Sequence, residues 1–207
     1  MNTMRAHRRP AEGFTVVEMM VVVAIVAVVV AFGIPSYKSV TVQNRMAGEI
    51  NDISTDVELA RSAAIKQGLP VTICPSANAS STPNGTTPSC SGTANWNTGW
   101  IVFIDTAGNE TFNTGSGDTL LRAHAGFQGT DTLAGSSGNA ATGPFSGTIS
   151  YLTFNRMGGT SIGGGTNFAA LTLHDSGNTL AWRRCLVVSY AGLSTIDTQT
   201  SNAGVCP

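Results

Sequence analysis

Charge is scarce in this sequence: Asp, Glu, Lys and Arg make up 11% of 207 residues, and the formal net charge is −1. A chain so poor in cations has no global positive field with which to gather nucleic acid. There are only three histidines and four cysteines. No C-x-x-C pair occurs, and neither His124 nor His174 stands at a ligand-like spacing from a cysteine, which argues against zinc. No serine sits in a G-x-S-x-G elbow; Ser36, Ser150 and Ser189 all have other neighbours. The stretch "DTAGNETFNTGSGD" (105–118) lacks the D-x-D-x-D-G alternation of a calcium loop and reads as a turn-rich hairpin. No internal repeat is visible. These absences lead to an expectation of no cofactor, no metal and no catalytic constellation, hence of a protein that is not an enzyme.

What the chain does have is glycine, 24 of them, with Ser, Thr and Asn crowding the second half, the composition of a loop-rich, β-biased domain. Its length, less one N-terminal hydrophobic segment, suits a single globular domain. The cysteines fall into two sequence-local pairs behind that segment, so disulfides in an exported domain are the natural reading. Cys74–Cys90 with Cys185–Cys206 is the favoured pairing of the three possible, with a zinc site as the alternative.

The N-terminal segment, "RRPAEGFTVVEMMVVVAIVAVVVAFGIPSY" (8–37), is apolar from Phe14 to Ile34 except for Glu18, although a carboxylate in hydrocarbon costs roughly 2.5 to 3.5 kcal/mol on insertion scales. A secretory signal peptide could be cut after Ala31-Phe32-Gly33, but the apolar run exceeds the usual 7 to 15 residues and Pro35 lies just beyond the cut. A plain transmembrane anchor, held by Arg5, Arg8 and Arg9 on the cytoplasmic side, explains the orientation but not the acid.

"G13-F-T-V-V-E18", followed by the apolar run and the "GIPSY" break (33–37), resembles the class III leader site of type IV pilins and their pseudopilin relatives. The resemblance implies that prepilin peptidase removes residues 1–13 between Gly13 and Phe14 and that Phe14 becomes an N-methylated amino terminus. It also implies that Glu18 is the assembly acid, pairing with the terminal amine of a neighbouring subunit. A buried carboxylate is tolerable when a cation neutralises it, and here the cation would arrive with the next subunit. Loss of the leader removes three arginines and one glutamate and takes the formal charge from −1 to −3.

Behind Pro35, Met46, Ile50, Ile53, Val57, Ala60 and Ala64 recur at spacings of four and three, one face of an amphipathic helix. Gly68 and Leu69-Pro70 end it. Pro35 lacks an N–H, so a bend is expected at Gly33 and Pro35. Strands are expected at 69–76, 99–105, 119–124, 147–155, 167–175, 183–190 and 193–197, as an antiparallel meander or two small sheets, with surface loops at 76–98, 106–118, 128–146 and 157–166. Trp96, Trp100 and Phe103 are assigned to the core. The expected fold is α+β: a long N-terminal helix, hydrophobic over 14–35 and amphipathic over 36–68, packed on an antiparallel β-rich domain, 69–207.

"VTICPS" (71–76), Cys90, Trp96, "GWIVFID" (99–105), Gly108-Asn109, "LLR" (120–122) and the closing "RRCLVVSYAG" (183–192) resemble the FimU/FimT minor pilins and the GspH pseudopilin. The family implies a minor pilin, a structural subunit of pilus initiation or tip complexes, or alternatively a pseudopilin of a type II secretion system or a FimT-like DNA receptor for natural transformation. Its implied partners are other pilin subunits, prepilin peptidase, the inner-membrane assembly platform and the membrane, with the globular domain in the periplasm. The DNA-binding branch carries G-R-x-R after its last long strand; here the matching residues are Gly192-Leu193-Ser194-Thr195, without either arginine. Phosphate binding needs clustered cations, and Arg183 and Arg184, on opposite faces of a strand, offer at most one to any patch. DNA is therefore disfavoured, with these two arginines as its only weak contact.

Overall fold

A computed structural model describes residues 13–79, 87–198 and 206. Residues 1–12 of the expected leader lie outside the described residues. The contacts divide the chain at Thr41/Val42 into two compact units.

The one α-helix among the described residues, α1 (Val16–Gln67), contains 52 residues. Its end has the expected physical cause: Gly68 takes φ +69°, open to a residue without Cβ, and its N–H donates to Ala64 O at 2.9 Å. Within the second unit the helix buries Met46, Ile50, Ile53, Val57, Ala60 and Ala64, none more than 1% exposed. The spacing of four and three thus marks the stripe that faces the core.

Ten strands follow among the described residues: β1 (Val71–Pro75), β2 (Gly99–Ile104), β3 (Thr119–Ala125), β4 (Thr132–Gly138), β5 (Gly147–Thr148), β6 (Leu152–Phe154), β7 (Thr160–Ile162), β8 (Phe168–His174), β9 (Arg184–Ser189) and β10 (Ser194–Thr198). They form two antiparallel five-stranded sheets, ordered β3-β2-β1-β6-β7 and β10-β9-β8-β4-β5. One face of each sheet and the helical stripe meet in a common core that takes Val71 and Ile73 from β1, Trp100 and Val102 from β2, Leu171 from β8 and Leu186 from β9.

The strands "VTICP" and "GWIVFI" are buried along their whole length, which explains why they read as continuous apolar runs rather than alternating ones. On the face of the first sheet away from the main core, Cys74, Ile101 and Phe103 pack with Phe112 and Ala79; on the second, Ala170, Cys185 and Val187 pack with Cys206. Each small cluster holds a disulfide, Cys74–Cys90 across 16 residues and Cys185–Cys206 across 21. The bonds therefore pin covering segments onto faces that would otherwise be wet. Replacing Cys74 and Cys90 together by serine is expected to lower stability by about 3 kcal/mol in the chain-entropy picture, read as a shift in the denaturant midpoint of the oxidised protein.

Two segments expected as loops are strands. Residues 132–138, within the expected loop 128–146, form β4, paired with β8 from Thr132↔His174 to Gly138↔Phe168. "TLAGSSG" carries no β-branched or aromatic run because bulk is excluded there: a Cβ on Gly135 would lie 2.5 Å from Trp96 Nε1 and 2.6 Å from Ile149 Cγ1. Residues 160–162, within the expected loop 157–166, form the short edge strand β7. The expected single strand 147–155 is divided between the sheets. β5 pairs with β4 in one and β6 with β1 in the other, while buried Ile149 bridges them, its N–H donating to Gly135 O and its carbonyl accepting from Trp96 Nε1, each at 3.2 Å.

Candidate assembly interface

Gly13, Phe14 and Thr15 precede α1 outside any regular element, and Phe14 is 78% exposed. Thr15 caps the helix: its Oγ1 accepts from Glu18 N–H at 3.2 Å. "T-V-V-E" is thus a threonine cap with an acid three residues on, in the first turn, where unpaired N–H groups and the helix dipole favour negative charge. Glu18 therefore has a local reason to sit at the head of the helix, quite apart from assembly. Its carboxylate has no hydrogen-bond or ion-pair partner among the described residues.

Around it the helix surface is apolar and uncovered. Val16, Met20, Val23, Ile25, Val29 and Phe32 are each 58–77% exposed, and this helix is long and apolar enough to cross a membrane. The helix continues through Gly33 and Pro35 without interruption. Beside Gly33 there is open space, with nothing within 4 Å of an added Cβ.

In the second unit, side chains missed at the level of sequence fasten the helix to the sheets. Arg45 grips the wholly buried Asp131 carboxylate with two bonds of 2.7 Å, from Nε to Oδ2 and from an NH2 nitrogen to Oδ1. Asp56, 1% exposed, accepts from Trp100 Nε1 at 2.8 Å and from Arg122 at 2.6 Å. His124 stacks on Trp100, ring centroids 4.0 Å apart, and stands 3.7 Å from Asp52. The available signal was positional: Arg45, Glu49, Asp52 and Asp56 border the apolar stripe at helical spacing, where a charge needs a partner from the sheet.

Glu49, with Nε of Arg45 3.9 Å from its Oε1, shares this seam. Burial first, then the nearby Asp131 charge, pushes its carboxyl up to about 7, against the opposing pull of Arg45. The folded protein then holds a proton that the unfolded chain has released at its ordinary 4.5, so stability contributed by this group falls as pH rises through that window. Tm is expected to be higher at pH 5 than at pH 8, and Glu49→Gln to flatten that dependence in a thermal melt series.

The arginines considered for DNA lie apart in role. Arg183 follows a 3-10 turn, Leu180–Trp182, and donates to Asn178 Oδ1 at 2.8 Å; Arg184 opens β9 opposite Thr198 and Leu173.

An acid in the first turn of an exposed apolar helix, in one chain with a disulfide-pinned β-rich domain, is the arrangement of a pilin-type subunit. The family described as Type II transport protein GspH matches residues 49–192, and the chain belongs to it; the prokaryotic N-terminal methylation motif matches residues 8–34. It is a minor pilin or pseudopilin of a structural family whose members interact with other pilin subunits, and its motif and apolar helix fit a membrane-anchored pilin. No curated protein matches the chain by sequence. Two crystal structures of the type IV minor pilin FimU from Pseudomonas aeruginosa PAO1 are similar. One has 19% identity and a TM-score of 0.51, covering 80% of this chain and 95% of that one; the other has 18% and 0.48, covering 76% and 94%. The first of these shares the pilin-like fold.

Proposed function

We propose that this chain is a minor pilin that takes part in initiating a type IV pilus, in the complex at its tip. Prepilin peptidase cuts between Gly13 and Phe14, Phe14 is N-methylated, and the helix from Phe14 holds the subunit in the inner membrane with the β-rich domain in the periplasm. Gly33 and Pro35 supply the bend near the end of the hydrophobic segment. The assembly platform extracts the helix as Glu18 meets a neighbour's terminal amine. The observation that carries this reading is the unpartnered Glu18 carboxylate among exposed apolar side chains: an acid in hydrocarbon is retained when assembly brings its cation.

Intact-mass analysis of protein made beside prepilin peptidase tests the processing. The expected mass lacks residues 1–13 and carries one methyl group; cleavage after Gly33 would contradict it. The second reading, a type II secretion pseudopilin, is favoured by the family that matches residues 49–192. Recovery in sheared pili, against recovery only with a secretion apparatus, separates the two. DNA reception is not part of the proposal, because Gly192-Leu193-Ser194-Thr195 carries no cation.

A further inference from the structure

Between Phe14 and Thr41 the aromatic residues are Phe14, Phe32 and Tyr37, and the charged ones are Glu18 and Lys38. Rings thus stand at the two ends of the apolar stretch, with none from Thr15 to Ala31. Tyr37 is 74% exposed, and Lys38 beside it is exposed as well. Ile34, Tyr37 and Lys38 share one side of α1, at spacings of three and four. A helical side chain leans towards the N-terminus, so the Tyr37 ring leans back over the apolar stretch. Its hydroxyl and the Lys38 ammonium, each at the far end of its side chain, reach for water.

The two charges fix a register. Glu18 and Lys38 stand on one continuous helix, and the rise from 18 to 38 is about 30 Å at 1.5 Å per residue. The hydrocarbon core of a bilayer is also roughly 30 Å thick. With Lys38 at one head-group layer, Glu18 stands at the opposite one. A shift of one turn in either direction draws one of the two charges into hydrocarbon, where it is costly.

These features select the occupant. Water alone would leave the Tyr37 ring and Ile34 uncovered, and an apolar protein surface would leave the Lys38 charge without a counterion. A phospholipid head-group layer offers acyl chain to the ring, and phosphate and water to the ammonium and the hydroxyl.

We propose that Tyr37 and Lys38 bind the phospholipid head groups on the periplasmic side of the inner membrane, the ring at the boundary with the acyl chains and the ammonium on lipid phosphate. They set the depth of α1 before assembly. This rests on the membrane-anchored reading above and adds to it the lipid contact and the register.

Tyr37→Trp in the full-length chain, reconstituted at high lipid-to-protein ratio in vesicles of phosphatidylethanolamine and phosphatidylglycerol, tests it. The unsubstituted protein supplies the background of Trp96, Trp100 and Trp182. The added fluorescence is expected to be quenched about twofold more by lipids brominated near the head group than by lipids brominated near the chain end. Lys38→Glu, combined with Tyr37→Trp, should move the ring towards water, halving that quenching roughly and shifting the emission to the red; Lys38→Arg should change neither. Stronger quenching by the chain-end bromines, no quenching in a chain that resists carbonate extraction, or indifference to Lys38→Glu would overturn the proposal alone. So would a signal that changes when the protein is diluted about tenfold in lipid, which would seat the ring against a second copy. Release of the chain by carbonate would overturn the membrane-anchored reading with it.

Discussion

Glu18→Ala is expected to abolish or severely reduce incorporation into filaments while leaving the Tm of the β-rich domain unchanged. The contrast follows from where the residue stands. Its backbone N–H bonds to Thr15, but its carboxylate has no hydrogen-bond or ion-pair partner among the described residues, so truncation removes no such bond from the core. In an assembled filament the same carboxylate would be buried with a neighbour's amine. Deleting one member of such a pair leaves a buried cation uncompensated, worth about 3–5 kcal/mol for each subunit added. Glu18→Gln separates charge from capping: it keeps a side chain that can reach back to the helix start yet removes the ion pair, so it should assemble as poorly as alanine. Immunoblots of sheared filaments against whole membranes supply the readout. Equal incorporation of glutamine and glutamate would show that the residue acts as a helix cap alone.

The helix was legible from sequence because two independent signals follow one another along it: a long apolar run interrupted by Glu18, then the periodic stripe from Met46 to Ala64 that the core buries. The strands β1, β2, β8 and β9 were equally plain, since burial on both faces selects dense runs of Val, Ile, Leu and aromatics. Strand β4 was hidden for the opposite reason. Trp96 presses on Gly135 so closely that the position takes no side chain, and a strand built from Gly, Ser and Ala looks like a loop. The ion pairs were hidden more deeply. Arg45 and Asp131 stand 86 residues apart, Asp56 and Arg122 66 apart, and nothing local to either partner announces the other. Gly13, Phe14 and Glu18 were found by their order in a motif. The roles proposed for them belong to an encounter with a peptidase and a neighbour, which the fold of one chain does not express.

The Asp56 pair gives the second large effect, with an instructive asymmetry. Arg122→Met should destabilise the folded domain by about 2–3 kcal/mol. It leaves Asp56, 1% exposed, charged in the core with only Trp100 Nε1 as a donor, below the roughly 3–5 kcal/mol of a fully buried pair because Arg122 itself is half exposed and screened by water. The attraction is mutual: the hydrogen bond and charge of Asp56 raise the Arg122 guanidinium above its ordinary value. Asp56→Asn should cost less, about 1–2 kcal/mol, since an amide oxygen can still accept from Trp100 and the released arginine turns to solvent. Combining Asp56→Asn with Arg122→Met should then recover most of the loss of the arginine variant, because no charge is left buried. Urea denaturation at fixed pH measures all four proteins of this cycle. Simple addition of the two single effects in the double variant would show that the pair is not coupled, and that Trp100 alone fixes the helix to β2.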